Sequence, residues 1–267
     1  MQIQPGQAAL VTGASSGIGE ALVVALLRRG VHAAAAARDE ARLAALTDAA
    51  EALPHPRGQL LTLQVDVRQP EAVTAAVRQA FDTFGRLDLV IANAGVGQRG
   101  GLVEAPLDDL QAVIDTNVYG VLYTVRAAAP YLVQQGGHIV IVSSVVASMI
   151  TPYTATYSAS KAAVSSIARA LRYELAPHNI GVTDALVGRT ETAFNVNRLG
   201  AKGYADRAPR LPAMSPAFAA VSLLRAVEGN RGTVTLRPFD QLLVWVSQWF
   251  PQFVARRALR QYKTTTS

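Results

Sequence analysis

Thr12-Gly13-Ala14-Ser15-Ser16-Gly17-Ile18-Gly19 joins the small apolar run Ala8–Thr12 to a stretch of helical periodicity over Gly17–Arg29. Glycines between a buried strand and a helix let the turn tighten and the backbone come close to a ligand. They also leave the positive end of the helix dipole facing outward, where a pyrophosphate would be stabilised. Alone, such a loop is also compatible with a plain turn. Its place at the first strand-to-helix junction of the chain makes it a candidate binding loop, with Gly13, Ser15, Ser16, Gly17, Ile18 and Gly19 as candidate ligands.

Beyond this junction the same alternation continues. Apolar runs predict strands at Ala8–Thr12, His32–Ala37, Leu60–Val65, Leu87–Ala92, His138–Ser143, Ile180–Leu186 and Thr233–Leu236. Helical periodicity falls between them, near Gly17–Arg29, Glu40–Ala52, Glu71–Phe84, Leu107–Leu132, Ala155–Ala176 and Pro216–Gly229, with Pro70 and Pro106 as start signals and Gly30 and Gly229 as stops. Strands that are apolar throughout are covered on both faces, so the pattern predicts an α/β, doubly wound, seven-stranded parallel sheet with helices on both faces. The run Ala33–Ala37 fits a strand squeezed between close helices. No linker divides the chain, so a single domain is expected. Residues 1–239 form its body, including a long segment at about 188–213, and 240–267 form an amphipathic extension.

Composition narrows the chemistry. Of 267 residues, 50% are apolar and 16% charged, enough to build a large core and too little charge for a disordered chain. With no cysteine there is no disulfide or thiolate site, and four scattered histidines have no metal-binding spacing, so no metal is expected. The net charge of +6 suits an anionic partner without choosing one, and no basic stripe or nucleic-acid module accompanies it. The N-terminus has no leader-like pattern and no run is long enough to span a bilayer, which predicts a cytoplasmic protein, at most attached to a membrane surface.

Other candidates lie at the C-terminal ends of the predicted strands. After the second strand, the place where a carboxylate would accept both ribose hydroxyls of NAD holds Ala37, then Arg38, whose guanidinium suits a 2′-phosphate. Arg38 therefore favours NADP(H) over NAD(H), the other reading being a solvated charge opening a helix. The adjoining Asp39 reads as a helix N-cap. Asp66 and Val67 end the third strand, where the carboxylate suits an adenine amine, and Asn93, Ala94 and Gly95 follow the fourth.

Tyr157 and Lys161 are four residues apart on a predicted helix, which puts phenol and ammonium one turn apart on one face. A neighbouring cation favours phenolate and makes Tyr157 a candidate proton donor, although this pair also decorates exposed helices. Ser144 leaves the end of the apolar strand Ile139–Val142, where open α/β sheets bind ligands, and can polarise a carbonyl. Asn117 sits inside the long predicted helix 107–132, where a capping or water-holding role explains it better than propensity.

The glycine loop followed by Asn117, Ser144, Tyr157 and Lys161 in this order resembles the short-chain dehydrogenase/reductase family, over about Gln7 to Leu236. The resemblance implies a Rossmann-type fold and hydride transfer between nicotinamide and a carbonyl or alcohol. Tyr157 would be the proton donor or acceptor and Ser144 would orient the carbonyl oxygen. Lys161 would bind the nicotinamide ribose and lower the pKa of Tyr157, and Asn117 would retain a water of a proton relay. It also implies nicotinamide contacts from Val187, Gly188, Thr190 and Thr192, and a homodimer or homotetramer. The family's usual Pro-Gly is Val187-Gly188 here, and its Asn-Asn-Ala-Gly is Ala92-Asn93-Ala94-Gly95. A redox-sensing protein on the same fold is the alternative outside catalysis.

Two segments remain. The stretch Gly188–Pro212 mixes Phe194, Val196, Leu199, Tyr204 and Leu211 with Arg189, Arg198, Lys202, Arg207 and Arg210. By its position it covers the cleft and favours an apolar substrate, or it is an ordinary surface loop. Past Asp240, the band from Leu242 to Val254, with Trp245, Trp249, Phe250 and Phe253, precedes Arg256, Arg257, Arg260 and Lys263. Burial against a neighbouring subunit or the cleft is the favoured reading. The alternatives are an anionic membrane surface and a peripheral enzyme acting on lipidic substrates. Thr264–Ser267 are expected to fray.

Overall fold

The computed structural model describes residues 1–195, 198–201, 204–206, 212–260 and 262–264. Its strands are β1 (Ala8–Thr12), β2 (His32–Ala37), β3 (Leu60–Gln64), β4 (Leu89–Ala92), β5 (Gly137–Val142), β6 (Ile180–Leu186), β7 (Tyr204–Asp206), β8 (Thr233–Thr235) and β9 (Tyr262–Thr264). Seven of them form one parallel sheet in the order β3-β2-β1-β4-β5-β6-β8. Strand order reverses between β1 and β4. Crevices for ligands open at the carboxyl ends of the strands at such a switch point.

The helices are α1 (Gly17–Leu27), α2 (Glu40–Glu51), α3 (Pro70–Phe84), α4 (Leu107–Ile114), α5 (Gly120–Val133), α6 (Ala155–Glu174), α7 (Pro216–Glu228), α8 (Pro238–Trp249) and α9 (Pro251–Leu259). They cover both faces. Ala33, Ala35 and Ala37 of β2 join the core beside α1 and α7, whereas Ala34 and Ala36 join the core beside α3 and α5. Alternating side chains of one strand thus enter two separate interiors, and the alanine run lets helices approach both faces. Asp39 caps α2 by accepting from Arg42 N at 3.0 Å.

Three expectations need correction. The single helix predicted over 107–132 is two helices joined by a π-helical turn, Asp115–Tyr119. Its apolar periodicity does not register one extra residue in a turn, but the insertion re-aims the side chains within it. The long segment after β6 is not irregular throughout, because Tyr204–Asp206 pairs antiparallel with Tyr262–Thr264. Thr264, expected to fray, belongs to that pair. Val196, Lys202, Arg207, Arg210, Leu211 and residues 265–267 lie outside the described residues, as do the side chains of Tyr204 and Lys263. No described helix is long and apolar enough to cross a membrane.

Candidate active site

At the β1–α1 junction the glycines are held by close packing. Gly13 has φ +66°, and a Cβ there would stand 2.8 Å from Ala94 Cα; on Gly19 it would meet Gly13 O at 2.2 Å. Asn93 closes the loop, donating from Nδ2 to Thr12 O (2.9 Å) and Gly13 O (3.2 Å). Asn93 and Ala94 also donate from their backbone N–H groups to Thr12 Oγ1, each at 3.1 Å. Ser16 precedes α1 in extended conformation without a side-chain cap bond, so its hydroxyl does not take up the N–H groups of the first turn. Thr192 lies against Gly17, where an added Cβ would meet its Cγ2 at 2.8 Å. Segments expected to contact opposite ends of a dinucleotide therefore meet around one cradle, whose close packing tolerates no Cβ at Gly13, Gly17 or Gly19.

At the far end, Arg38 is exposed just past β2. Asp66 does not stand free. Arg68 donates to it from Nε (3.0 Å) and Nη2 (2.6 Å), and Arg68 N donates to Oδ1 at 3.0 Å. Burial works to raise the Asp66 pKa, but the bonds and charge of Arg68, with Arg38 adding, carry it below the usual carboxylate value. Two guanidinium groups thus act on this corner. Arg68 was missed from sequence, since only the fold turns it back onto Asp66. Val67 is buried against Gly120 of α5.

The reactive groups gather at the ends of β4, β5 and β6. Ser144 stands close enough to the Tyr157 phenol to favour its ionised form, and donates from Oγ to Val187 O at 3.1 Å. Lys161, one turn along α6, is buried and donates from Nζ to Val142 O at 2.8 Å. Asn117, in the π-helical turn, is buried. Its Oδ1 accepts from Val96 N (2.8 Å), and its Nδ2 donates to Val96 O and Ser160 Oγ, both at 2.9 Å. Both pack closely on Gly95, where a Cβ would be 3.1 Å from Asn117 Oδ1 and 3.4 Å from Lys161 Nζ.

The electrostatics differ from the simple expectation of a lysine acidifying a phenol. Burial pushes the Tyr157 pKa up, and the groups opposing it are Ser144 and the charge of Arg198. Burial also lowers Lys161 to about 8, against the charge of Asp184, which raises it. Asp184 is a buried carboxylate on β6 that accepts from Ser143 Oγ and, at 2.6 Å, from Ser165 Oγ of α6. Its signal was an acid inside an apolar strand.

The segment after β6 folds over this site. Val187 and Gly188 follow the strand, and the Thr190 hydroxyl donates to Gly188 O at 3.2 Å. Phe194 lies 5.7 Å from the Tyr157 ring, centre to centre. Phe194 and Arg198 both pack against Gly97, Leu199 N donates to Gly97 O at 2.9 Å, and Arg99 N donates to Leu199 O at 2.8 Å. Thr192, Phe194, Arg198 and Leu199 of this segment thus pack on Gly17, Tyr157 and Gly97. A surface groove of about 770 Å³ along α3 holds none of these residues.

Residues 7–202 match the profile of the short chain dehydrogenase family. An uncharacterized oxidoreductase of Staphylococcus saprophyticus is 34% identical over 231 residues, 86% of this chain and 96% of its own. The fold is similar to that of a short-chain dehydrogenase/reductase from Burkholderia phymatum in complex with NAD (TM-score 0.84, 25% identity, 96% and 97% of the two chains). It is also similar to a short chain dehydrogenase from Burkholderia cenocepacia in complex with NADP (TM-score 0.79, 30% identity, 97% and 99%). The chain belongs to the short-chain dehydrogenase/reductase family of oxidoreductases, on a single Rossmann-type domain, and a nicotinamide cofactor fits its glycine cradle.

Proposed function

We propose that the protein is an NADP(H)-dependent oxidoreductase interconverting an apolar ketone or aldehyde and its alcohol. The observation that carries the reading is the Tyr157 phenol with Ser144 next to it and buried Lys161 one helical turn away, at the crevice that the glycine loop also borders. The cofactor, when bound, supplies or accepts the hydride. The chain supplies the rest. Gly13, Ser15, Ser16, Gly17, Ile18 and Gly19 hold the pyrophosphate, Asp66 and Val67 the adenine, and Asn93, Ala94, Gly95, Val187, Gly188, Thr190 and Thr192 wall the nicotinamide half.

Ser144 Oγ and the Tyr157 hydroxyl hold the substrate oxygen from the protein side. Tyr157 gives that oxygen a proton in reduction and takes it back in oxidation. Lys161 binds the nicotinamide ribose, and Ser144 with the charge of Arg198 counters the burial that keeps Tyr157 protonated. Arg38, with Arg68 close to Asp66, supports NADP(H) over NAD(H), because two guanidinium groups suit a 2′-phosphate and Asp66 is already engaged.

Phe194 over Tyr157, with exposed Leu102, Val103 and Ile150 on loops joined by the Gly100 N to Tyr153 O bond, supports an apolar substrate. Apolar residues that α4 and α5 leave exposed, Leu107 and Val133, with Tyr119 between the helices, support a homodimer or homotetramer.

Initial rates with NADPH and NADH over a panel of ketones and alcohols test the reading. NADPH is expected to be preferred, Tyr157→Phe to lose at least ~100-fold in turnover while still binding NADPH, and Arg38→Asp to shift preference toward NADH. No turnover with either cofactor, or an unchanged preference in Arg38→Asp, contradicts it.

A further inference from the structure

Helices α8 and α9 present two unlike faces. On the inner side, Asp240, Val244, Ser247 and Val254 are buried, and Val244 packs with Val145 and Leu186, next to the turn that follows Ser144. Outward, Leu242, Trp245 and Trp249 recur along α8 at spacings of three and four residues, and Phe253 follows on α9. Trp245 is 52% exposed, Trp249 68% and Phe253 66%, and the two indoles lie 6.3 Å apart. Of the apolar band, Val244 and Val254 are thus buried within the chain, and Trp245, Trp249, Phe250 and Phe253 are exposed on it.

We propose that this face is a peripheral anchor that lies on an anionic lipid surface. Charge selects that occupant. Exposed Arg256, Arg257 and Arg260 adjoin the aromatic stripe, and no acidic residue follows Asp240, which is buried in an ion pair with Arg237 at 2.8 Å. A two-fold contact with a second copy through this face would bring both arginine clusters toward each other with no carboxylates on the tail to meet them. A leaflet of anionic lipid supplies the missing negative charge over a flat area, and indole rings favour the depth at which headgroups meet acyl chains. Alternation of buried and exposed positions along both helices gives the geometry of a helix pair lying in the interface plane rather than crossing it.

Flotation of the full-length protein with phosphatidylcholine vesicles, with and without phosphatidylglycerol, tests the proposal. The wild type is expected to float with the mixed vesicles at least about tenfold better than with phosphatidylcholine alone, and salt is expected to reduce binding. Trp249→Gln/Phe253→Gln and, separately, Arg256→Gln/Arg257→Gln/Arg260→Gln should each lose most of the binding. Both should keep NADPH turnover on a water-soluble substrate, which separates loss of the anchor from misfolding, and Tyr157→Phe should float like the wild type. No flotation with anionic vesicles, flotation unchanged in both tail variants, or an oligomer that Trp249→Gln/Phe253→Gln dissociates would overturn the proposal, the last by assigning the face to a second copy.

Discussion

Asp184 is the residue whose surroundings say most about how the site is held. Its carboxylate joins β5, through Ser143, to α6, through Ser165, one turn beyond Lys161, and Arg169 and Lys161 are the cations that lower its burial-raised pKa. Because Asp184 raises the pKa of Lys161 against burial, Asp184→Asn should let that lysine fall below its present value of about 8. The alkaline limb of the kcat/KM profile is then expected to move to lower pH, with a smaller change in NADPH affinity; an unmoved limb would make Asp184 a packing group only. His138 has a different consequence. Burial, with the positive N-terminus and Arg172 adding, pushes its pKa down to about 3 from 6.5. The folded state therefore keeps it neutral while the unfolded chain takes up a proton. Stability from this source is whole above pH 6.5 and is lost as pH falls toward about 3, amounting to a few kcal/mol. Thermal unfolding of His138→Gln should show a shallower fall in Tm between pH 7 and pH 4 than the wild type. The residues of the glycine loop and the Ser-Tyr-Lys set were legible because their spacing carries chemistry. Arg198 and Arg68 were not, because only tertiary folding brings one toward Tyr157 and the other onto Asp66.

Among the elements, the seven sheet strands could be read from sequence because burial on both faces makes each nearly apolar throughout, leaving end residues as the main discrepancy. The π-helical turn could not, although it carries Asn117 to Val96 and Ser160. At the junction of β6 with α8, sequence gave Gly188 only as a nicotinamide contact. The structure adds a packing reason for it, since a Cβ there would stand 2.4 Å from Asp240 Oδ1. Gly188→Ala should displace that carboxylate from its pair with Arg237 and loosen the start of α8, costing about 1–3 kcal/mol. A Tm lower by several degrees in a melting experiment is the expected sign, and an unchanged Tm would show that the helix yields without cost.

For the whole molecule, the parallel order with its reversal between β1 and β4 brings three groups of residues to the carboxyl ends of the strands: the glycine loop, Tyr157 with Lys161, and the Arg38–Arg68 corner. That convergence followed from the alternation of strands and helices. How the cover and the tail lie did not, since an amphipathic pattern states which face is apolar without stating what meets it. The central claim is that Tyr157 protonates a carbonyl oxygen while hydride reaches the adjoining carbon from the cofactor. Reduction of an apolar ketone with NADPH deuterated at the transferring C4 position tests it most directly. Deuterium at the carbinol carbon of the product, formed by the wild type and lost in Tyr157→Phe, is the predicted result; alcohol carrying no deuterium, or formed equally by the variant, would contradict it.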